Sequence, residues 1–560
     1  MSNDANGDDR SDTGSPYTLQ REGSDAHHAF WADDVADRVE KRATDDEPIV
    51  IKGGISPSGV PHLGNVNEIM RGYFVAEVLR DRGYEVRQVF TADDRDPLRK
   101  LPRTLCDLEG NLVDLGDVDA GALGRNLGAP YTDIPDPFGC CDSYGDHFST
   151  IIQQSADALE VPIDLVSNTD LYESGDFEDL TRFILEHRER AREVLAAYQD
   201  KVDEDYVPFN PICAECGKVT ETVTDVDLEA GTVDYRCTDM EAGDRTIEGC
   251  GHEGTATLRE GKLPWRFEWP AQWQVLGVDF EPFGKDHAEG SWPSGEDVAR
   301  NVLEIEPPVP MVYEWFTLDG EPFSSSAGNV ILVSDVLDLV EPEVLRYFFA
   351  KDPAKARDFS VERLDQLVDE FDRFEAIYFG EVEASDDEEA FAERVYPFVV
   401  EEPREERIRL SYTFAAVLGM TDDPDLREEI ARREGHIPDD APEWAVEAAL
   451  ARVERARNWA RRTENEFDYE LKRSEIPDHD FDATTEDALE ELAAFIEEGH
   501  DPDEIQGEIY ETAKRHDVPV GEFFAAGYRL FFDEEQGPKL GPFLAKVDRE
   551  FVVDRLRRER

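Results

Sequence analysis

A strand, a glycine turn, a helix and a second strand follow one another between residues 47 and 94. The apolar run in "EPIVIKGGI" reads as a buried strand that Gly53 and Gly54 end. In "GNVNEIMRGYFVAEVLRDRG" the apolar residues recur at helical spacing, and Gly83 supplies a C-cap. "YEVRQVFTADD" is the next strand. Strands joined through a helix in one sheet run parallel with a right-handed crossover, so this unit commits the chain to an α/β domain with a parallel sheet.

In such a sheet ligands bind at the carboxyl ends of the strands, where helix N-termini present free backbone N–H groups and the positive end of the helix dipole. The turn "GISPSG" lies there. Gly54 and Gly59 have the spacing of a phosphate-binding loop, but Val60 and Pro61 stand where that loop carries Lys and Ser or Thr. His62 and Asn65, one turn apart at the helix start, can both donate hydrogen bonds to phosphate oxygens, and the glycines let a nucleotide approach the backbone. The same residues also fit an ordinary strand-to-helix turn with a surface histidine.

At 560 residues the chain exceeds what one core holds, and its pattern changes along its length. Residues 1–30 form a polar tail expected to be disordered, and 45–200 hold the first half of the sheet domain. Residues 201–261 turn to short strands, tight turns and cysteine pairs, as in an inserted knuckle, and 262–345 return to strand-like and aromatic segments. From Ser334 onward "SDVLDLVEPEVLRYFFA", "SVERLDQLVDEFDRFEAIYF", "APEWAVEAALARVERARNWARR" and "TTEDALEELAAFIEEG" carry the helical period. They give a helical stem over 346–465 and a helical C-terminal domain over 466–560, so the expected architecture is α/β first and all-α second.

Lys and Arg total 58 against 130 Asp and Glu, a net charge of −72. Such acidity often accompanies disorder or a basic partner, but 40% of the residues are apolar and the acids are dispersed, so most of the chain can fold. In about 1 M salt the Debye length is only ~3 Å and self-repulsion is screened. The excess is therefore read as adaptation to a very salty cytoplasm. No apolar run approaches the ~18 residues of a membrane span, and "MSNDANGDDRSDTGSPY" lacks the basic-then-apolar order of a secretion signal. The expected location is cytoplasmic.

The seven cysteines, in a large chain without a secretion signal, point to metal ligands more than to disulfides. Cys213 and Cys216 form a CxxC pair, and Cys237 and Cys250 complete four thiolates suited to a closed, tetrahedral Zn²⁺. His252 is an alternate fourth ligand, and a set of buried thiols is the alternative to a metal. A second group in "DPFGCCDSYGDHF" comprises Asp136, Cys140, Cys141 and His147; by spacing alone it is weaker, since adjacent cysteines also pack as small apolar residues.

"PHLGN" resembles the histidine signature of class I aminoacyl-tRNA synthetases, in the His-x-Gly-Asn form of the class I lysyl enzymes. "SPSGVPHLGNVNE", "RDRGYEVR", "ADDRDPLRKLP", "DIPDPFGCCDSYGDHF", "WRFEWPAQWQVLGVDFEPFGKDHAEGS", "FSSSAGNVI" and "PEVLRYFFA" agree with that family in order, from about residue 50 to 350. The resemblance implies a Rossmann-like catalytic domain with a zinc-bearing insertion, then an all-α region that ends in an anticodon-binding domain. It implies ATP-dependent ligation of lysine to tRNA(Lys) through a lysyl-adenylate, with Mg²⁺ and one or two structural zinc ions. In that light His62, Asn65, Ser324, Ser325 and Ser326 stabilise the triphosphate as it reacts. Gly54, Pro57, Ser58, Gly59, Gly64, Gly328 and Asn329 join His62 and Asn65 in binding ATP, and Gly54, Ser56, Trp265 and His287 face lysine. Asp136, Cys140, Cys141 and His147 become a second zinc site, with Cys141 where the family commonly has histidine.

A lysine substrate needs an acid for its ammonium and an apolar channel for its stem. Trp265, Trp269 and Trp273 recur at intervals of four, with Trp269 and Trp273 read as core and Trp265 as pocket wall. Asp93, Asp94 and Glu268 are the candidate acids. The chain departs from its family at "EPFSSSAGN", where Pro322, Ser325 and Ala327 stand at positions that can carry lysine in the second class I signature. Lys285 of "FGKDH", taken as catalytic for this reason, and Mg²⁺ are the candidates to supply the missing charge. Rival readings are a glutamyl, cysteinyl or arginyl class I synthetase, or a non-catalytic zinc-bearing RNA-binding paralogue. A cysteine enzyme would use an open zinc, and a glutamate enzyme would need basic pocket residues that the tryptophan segment lacks. Net acidity opposes tRNA binding unless arginines gather locally, as in "LARVERARNWARR".

Overall fold

The computed structural model describes residues 28–43, 47–199, 202–243, 245–323, 329–405, 407–473 and 475–559. Helix α1 (Trp31–Glu40) precedes strand β1 (Ile49–Ile55), helix α2 (Leu63–Asp81) and strand β2 (Val86–Ala92). β1 and β2 pair in parallel from Ile49 opposite Val86 to Ile55 opposite Ala92. The sheet is completed by β3 (Asp164–Ser167), β4 (Phe280–Gly284) and β5 (Val309–Tyr313). All neighbours are parallel and lie in the order β3-β2-β1-β4-β5. That order reverses between β1 and β4, so a crevice opens at their carboxyl ends.

α2 is buried on more faces than one apolar stripe would give, with Asn67, Arg71 and Gly72 buried beside Val66, Ile69, Met70 and Phe74. A Cβ at Gly72 would lie 2.9 Å from Gln88 Nε2 and 3.3 Å from Ile51 Cγ2, so glycine is what lets the helix press onto the sheet. Gly83 follows the helix at φ +96°, a left-handed conformation that favours glycine. The tryptophan segment forms a helix over Trp265–Leu276, in keeping with the four-residue spacing of its tryptophans, and its aromatic face packs under β4.

The insertion is a separate small sheet of three antiparallel strands, Val223–Asp227, Thr232–Arg236 and Glu253–Thr257. Its neck is closed where Asn210–Pro211 pairs antiparallel with Gly261–Lys262. Phe209, Val233, Tyr235, Ala256 and Leu258 make its core, together with Cys213 and Cys237.

The chain forms two compact units. The first comprises residues 1–335, Arg346–Phe359 and Asp386–Val399; the second comprises Val336–Leu345, Ser360–Ser385 and Val400–Arg560. Read linearly, the sequence offers cuts after residues 345 and 465, whereas contacts group the chain into these two units and return two segments beyond 345 to the first. Within that unit Arg394 donates to Asp33 of α1 at 2.8 and 2.9 Å, and the Tyr73 hydroxyl donates to the carbonyl of Phe398 at 3.3 Å. Residues Arg357–Phe359 are a strand beside Phe316–Leu318, an exception to the helical reading after Ser334. The second unit is helical, with Glu443–Thr463 its longest helix. The Arg452 of that helix, buried, is bonded to Glu341 at 2.6 Å and to Asp372 at 2.7 and 2.9 Å.

Candidate active site and metal centres

Two cavities, of about 1200 Å³ and 720 Å³, meet at the carboxyl end of β1 and share Ser56, His62, Asn65, Asp96 and Trp265. Ser58 and Gly59 line the larger, Gly54, Gly64 and His287 the smaller. Most of the residues expected to bind ATP and lysine thus come together. Pro57 is buried and lines neither cavity, and Asn329 donates to the carbonyls of Glu321 and Pro322 at 3.3 and 3.0 Å instead of facing them. Ser324, Ser325, Ser326 and Gly328 lie outside the described residues.

His62 is the N-cap of α2, and Asn65 Oδ1 accepts from its backbone N–H at 2.9 Å. The Asn65 oxygen is therefore committed, and its amide –NH₂ is the group left to donate. The His62 ring stacks on Phe323 with centroids 5.0 Å apart, and its buried Nδ1 has no hydrogen-bond partner. Burial lowers its pKa to about 4, so the imidazole is neutral at physiological pH and acts as a hydrogen-bonding group, not a cation. A Cβ at Gly54, near the end of β1, would clash with Thr91 Oγ1, so glycine is required where β1 lies against β2.

The acids divide sharply by what already holds them. Glu268 accepts from the Tyr172 hydroxyl at 2.8 Å and from Lys262 at 2.7 Å, which removes it from the candidates for a substrate ammonium. Asp94 accepts from the backbone N–H of Thr169 at 2.8 Å and lines neither cavity. Asp93 lines the smaller cavity but accepts from Asn168 and Gln272, both at 2.9 Å. Three acids absent from the sequence-based candidates also line it: the exposed Asp286, Asp96 and Glu68. Asp96 accepts from Ser56 Oγ at 3.0 Å and from Lys262. Glu68 accepts from the backbone N–H of Gly54 at 2.7 Å and the Tyr313 hydroxyl at 3.0 Å. Burial, and next the charge of Glu281, push Glu68 up to about 8. Glu281 itself is held by Lys52 at 2.7 Å, by Trp269 Nε1 at 2.9 Å and by Trp273. Five carboxyl groups, Glu68, Asp93, Asp96, Glu268 and Glu281, thus share two buried ammoniums, Lys52 and Lys262.

Trp265 stacks on Trp269 at 5.4 Å and turns one face to both cavities, while Trp269 and Trp273 are core. His287 Nδ1 and Ser291 Oγ are hydrogen-bonded at 2.9 Å. Lys285 lines neither cavity: its ammonium sits 2.5 Å from Glu314 and 4.9 Å from the Trp315 ring centroid, so its charge is already engaged.

Both predicted metal groups assemble, each with its ligand atoms within 4.8 Å of one another. Cys213 and Cys250 have sulfurs 3.6 Å apart, Cys216 and Cys237 3.7 Å. Four thiolates at ~2.3 Å from one tetrahedral ion would be separated by about 3.8 Å, so the donor set fits a closed zinc site. His252 is not one of the four; its carbonyl accepts from Cys237 N–H at 2.8 Å. In the second group Cys140 Sγ lies 3.8 Å from Cys141 Sγ and 3.4 Å from His147 Nδ1, which is 3.4 Å from Asp136 Oδ1. His147 Nε2 lies 2.9 Å from the carbonyl of Cys106, which makes it the protonated nitrogen and leaves Nδ1 a lone pair for a metal.

A parallel sheet that reverses order beside the glycine turn has the architecture of the doubly wound α/β class, whose members bind ligands at that crevice. The chain belongs to the family of tRNA synthetases class I (K), whose model matches residues 29–400. It is similar to the lysine--tRNA ligase of Haloarcula marismortui, 72% identical over 543 residues that cover 97% of this chain and 99% of the relative. The lysine--tRNA ligase of Halobacterium salinarum is 73% identical over 533 residues, 95% of this chain and 97% of that one. That of Pyrococcus furiosus is 33% identical over 548 residues, covering 94% and 99%.

Proposed function

We propose that the chain is a lysine--tRNA ligase: it activates lysine with ATP to a lysyl-adenylate and transfers the lysyl group to tRNA(Lys). The observation that carries the choice of amino acid is the deficit of positive charge in the smaller cavity, where the half-buried Glu68 is hydrogen-bonded by neutral groups and, among the described residues, makes no ion pair. A lysine ammonium placed against Glu68 and the Tyr313 hydroxyl supplies that charge, and the Trp265 face takes the stem. Gly54, Ser56 and His287 line the same cavity around the remainder of the amino acid. His62 and the Asn65 amide donate to phosphate oxygens of ATP, which enters with Mg²⁺.

The two cysteine-containing groups each hold a structural zinc, with the ligands Cys213, Cys216, Cys237 and Cys250 in one and Asp136, Cys140, Cys141 and His147 in the other. The first zinc fixes the inserted sheet, and the second ties the loop before helix Tyr144–Ala158 to the strand that carries Cys106. The helical region after the catalytic half serves as stem and anticodon-binding domain. The dispersed acidic charge suits a salt-rich cytoplasm, and no described helix is long and apolar enough to cross a membrane.

The test is ATP–pyrophosphate exchange in molar KCl with each of lysine, glutamate, cysteine and arginine. Lysine alone should support it. Exchange with any of the others and none with lysine would refute the assignment, and no exchange with any of the four would favour a non-catalytic RNA-binding role.

A further inference from the structure

Adenylate formation breaks the bond from the α-phosphorus to the oxygen that bridges it to the β-phosphate, as a lysine carboxylate oxygen attacks. Pyrophosphate leaves with the bonding electron pair, so negative charge grows on the leaving phosphates and must be met by cations. The smaller cavity has no lysine or arginine among its described lining residues. Lys262, in the larger, is held by Asp96 and Glu268; Lys285 is held by Glu314; and burial keeps His62 neutral. What remains in the larger cavity, beside Ser58, Gly59, His62 and Asn65, is Arg99, Lys100 and Arg103.

These three cations are exposed, and among the described residues none makes an ion pair or a side-chain hydrogen bond. In a chain with 130 acidic residues against 58 basic ones that is a notable arrangement, because a cation left to chance would have a carboxylate in reach. Their loop is short and anchored at both ends. Leu98 and Leu105 are buried in one core with Val60, and Leu98 exchanges backbone hydrogen bonds of 2.9 Å with Gly128 and Ala129. Arg103 accepts from the backbone N–H of Leu115 at 3.0 Å. The loop runs against the glycine turn, since a Cβ on Gly59 would lie 3.8 Å from Pro102 Cβ.

We propose that Arg99, Lys100 and Arg103 are catalytic residues that bind the triphosphate of ATP and stabilise the departing pyrophosphate, in place of the lysines missing at Pro322, Ser325 and Ala327. The proposal rests on the lysine-activating reading above. Arginine forks and an ammonium on one tethered loop can take several phosphate oxygens at once.

The experiment replaces the three residues together, Arg99→Ala, Lys100→Ala and Arg103→Ala, in the full chain in molar KCl, with circular dichroism to show an unaltered fold. Lysine-dependent exchange should fall by about 100-fold or more, by analogy with the loss of a donor to developing charge. The apparent KM for pyrophosphate should rise, and the charge-keeping set Arg99→Lys, Lys100→Arg and Arg103→Lys should recover most of the rate. Normal exchange with impaired transfer to tRNA would overturn the proposal and assign the cations to the nucleic acid. Normal exchange and normal transfer would overturn it outright. If the unaltered chain shows no lysine-dependent exchange, the parent reading fails and carries this one with it; if the unaltered chain exchanges and the triple variant matches it, this one fails alone.

Discussion

Glu68 lies on the helix that His62 caps, and each of its carboxyl oxygens accepts from one neutral donor, Gly54 N–H and the Tyr313 hydroxyl, which leaves acceptor capacity for an ammonium. Removing its charge with Glu68→Gln should raise the KM for lysine about 10- to 100-fold, the usual cost of losing a buried hydrogen bond to a charged group, and leave the KM for ATP nearly unchanged; steady-state exchange kinetics measure both. The pH dependence follows from its pKa of about 8, raised from 4.5. Below about 8 the free enzyme holds a proton on Glu68, so lysine must displace it, and affinity should strengthen as pH rises to about 8 and then level off. For folding the sign is opposite: the native state binds the extra proton, so this group's contribution to stability falls as pH rises from 4.5 through about 8. The profile should vanish in Glu68→Gln. His62, at about 4, should add no inflection near the ordinary histidine value. Sequence supplied the residue types of this pocket but not their pairings. Glu268 and Asp94 were equally good candidates until Lys262, Tyr172 and Thr169 were seen to hold them. The one signal for Glu68 was its place as the only acid between Leu63 and Ala76, which alone reads as a surface residue.

At the scale of elements, the motifs that were legible were those whose chemistry is local. The CxxC pair needs four consecutive residues, and the β1-turn-α2-β2 unit needs fewer than fifty, so both could be read directly and both are present, although β1 runs through Gly53 and Gly54 to Ile55 where the sequence reading ended it at those glycines. The helix Trp265–Leu276 was legible in the four-residue spacing of its tryptophans, in spite of Pro270. The metal assignments make a direct prediction. Cys216→Ala and His147→Ala should each lower bound zinc by one equivalent, measured by elemental analysis, and the first should make the inserted sheet more open to proteolysis, because structural zinc contributes folding energy. Unchanged zinc in both variants would remove the two sites from the reading.

The whole molecule carries −72, spread along the sequence, and this predicts strong salt dependence. Exchange activity and cooperative unfolding should both be robust in multimolar KCl and decline in dilute buffer as the surface repels itself. Equal behaviour at both ionic strengths, followed by circular dichroism and exchange rate, would remove the halophilic reading. What the sequence could not show at this scale is which distant segments belong together. A boundary is read where composition shifts, but Asp386–Val399 joins the first unit through contacts such as Arg394 with Asp33, and no local pattern announces a partner so far upstream. That stitching has a consequence for biosynthesis. The ribosome delivers α1 first and its guanidinium partner much later, so a nascent chain must hold the first unit unfinished while Ser360–Ser385, which belong to the other unit, pass through the exit tunnel. Neither unit is a chapter that can be completed before the next begins, and vectorial folding of this chain is a race between the last strand of text and the hazards met by an open first half.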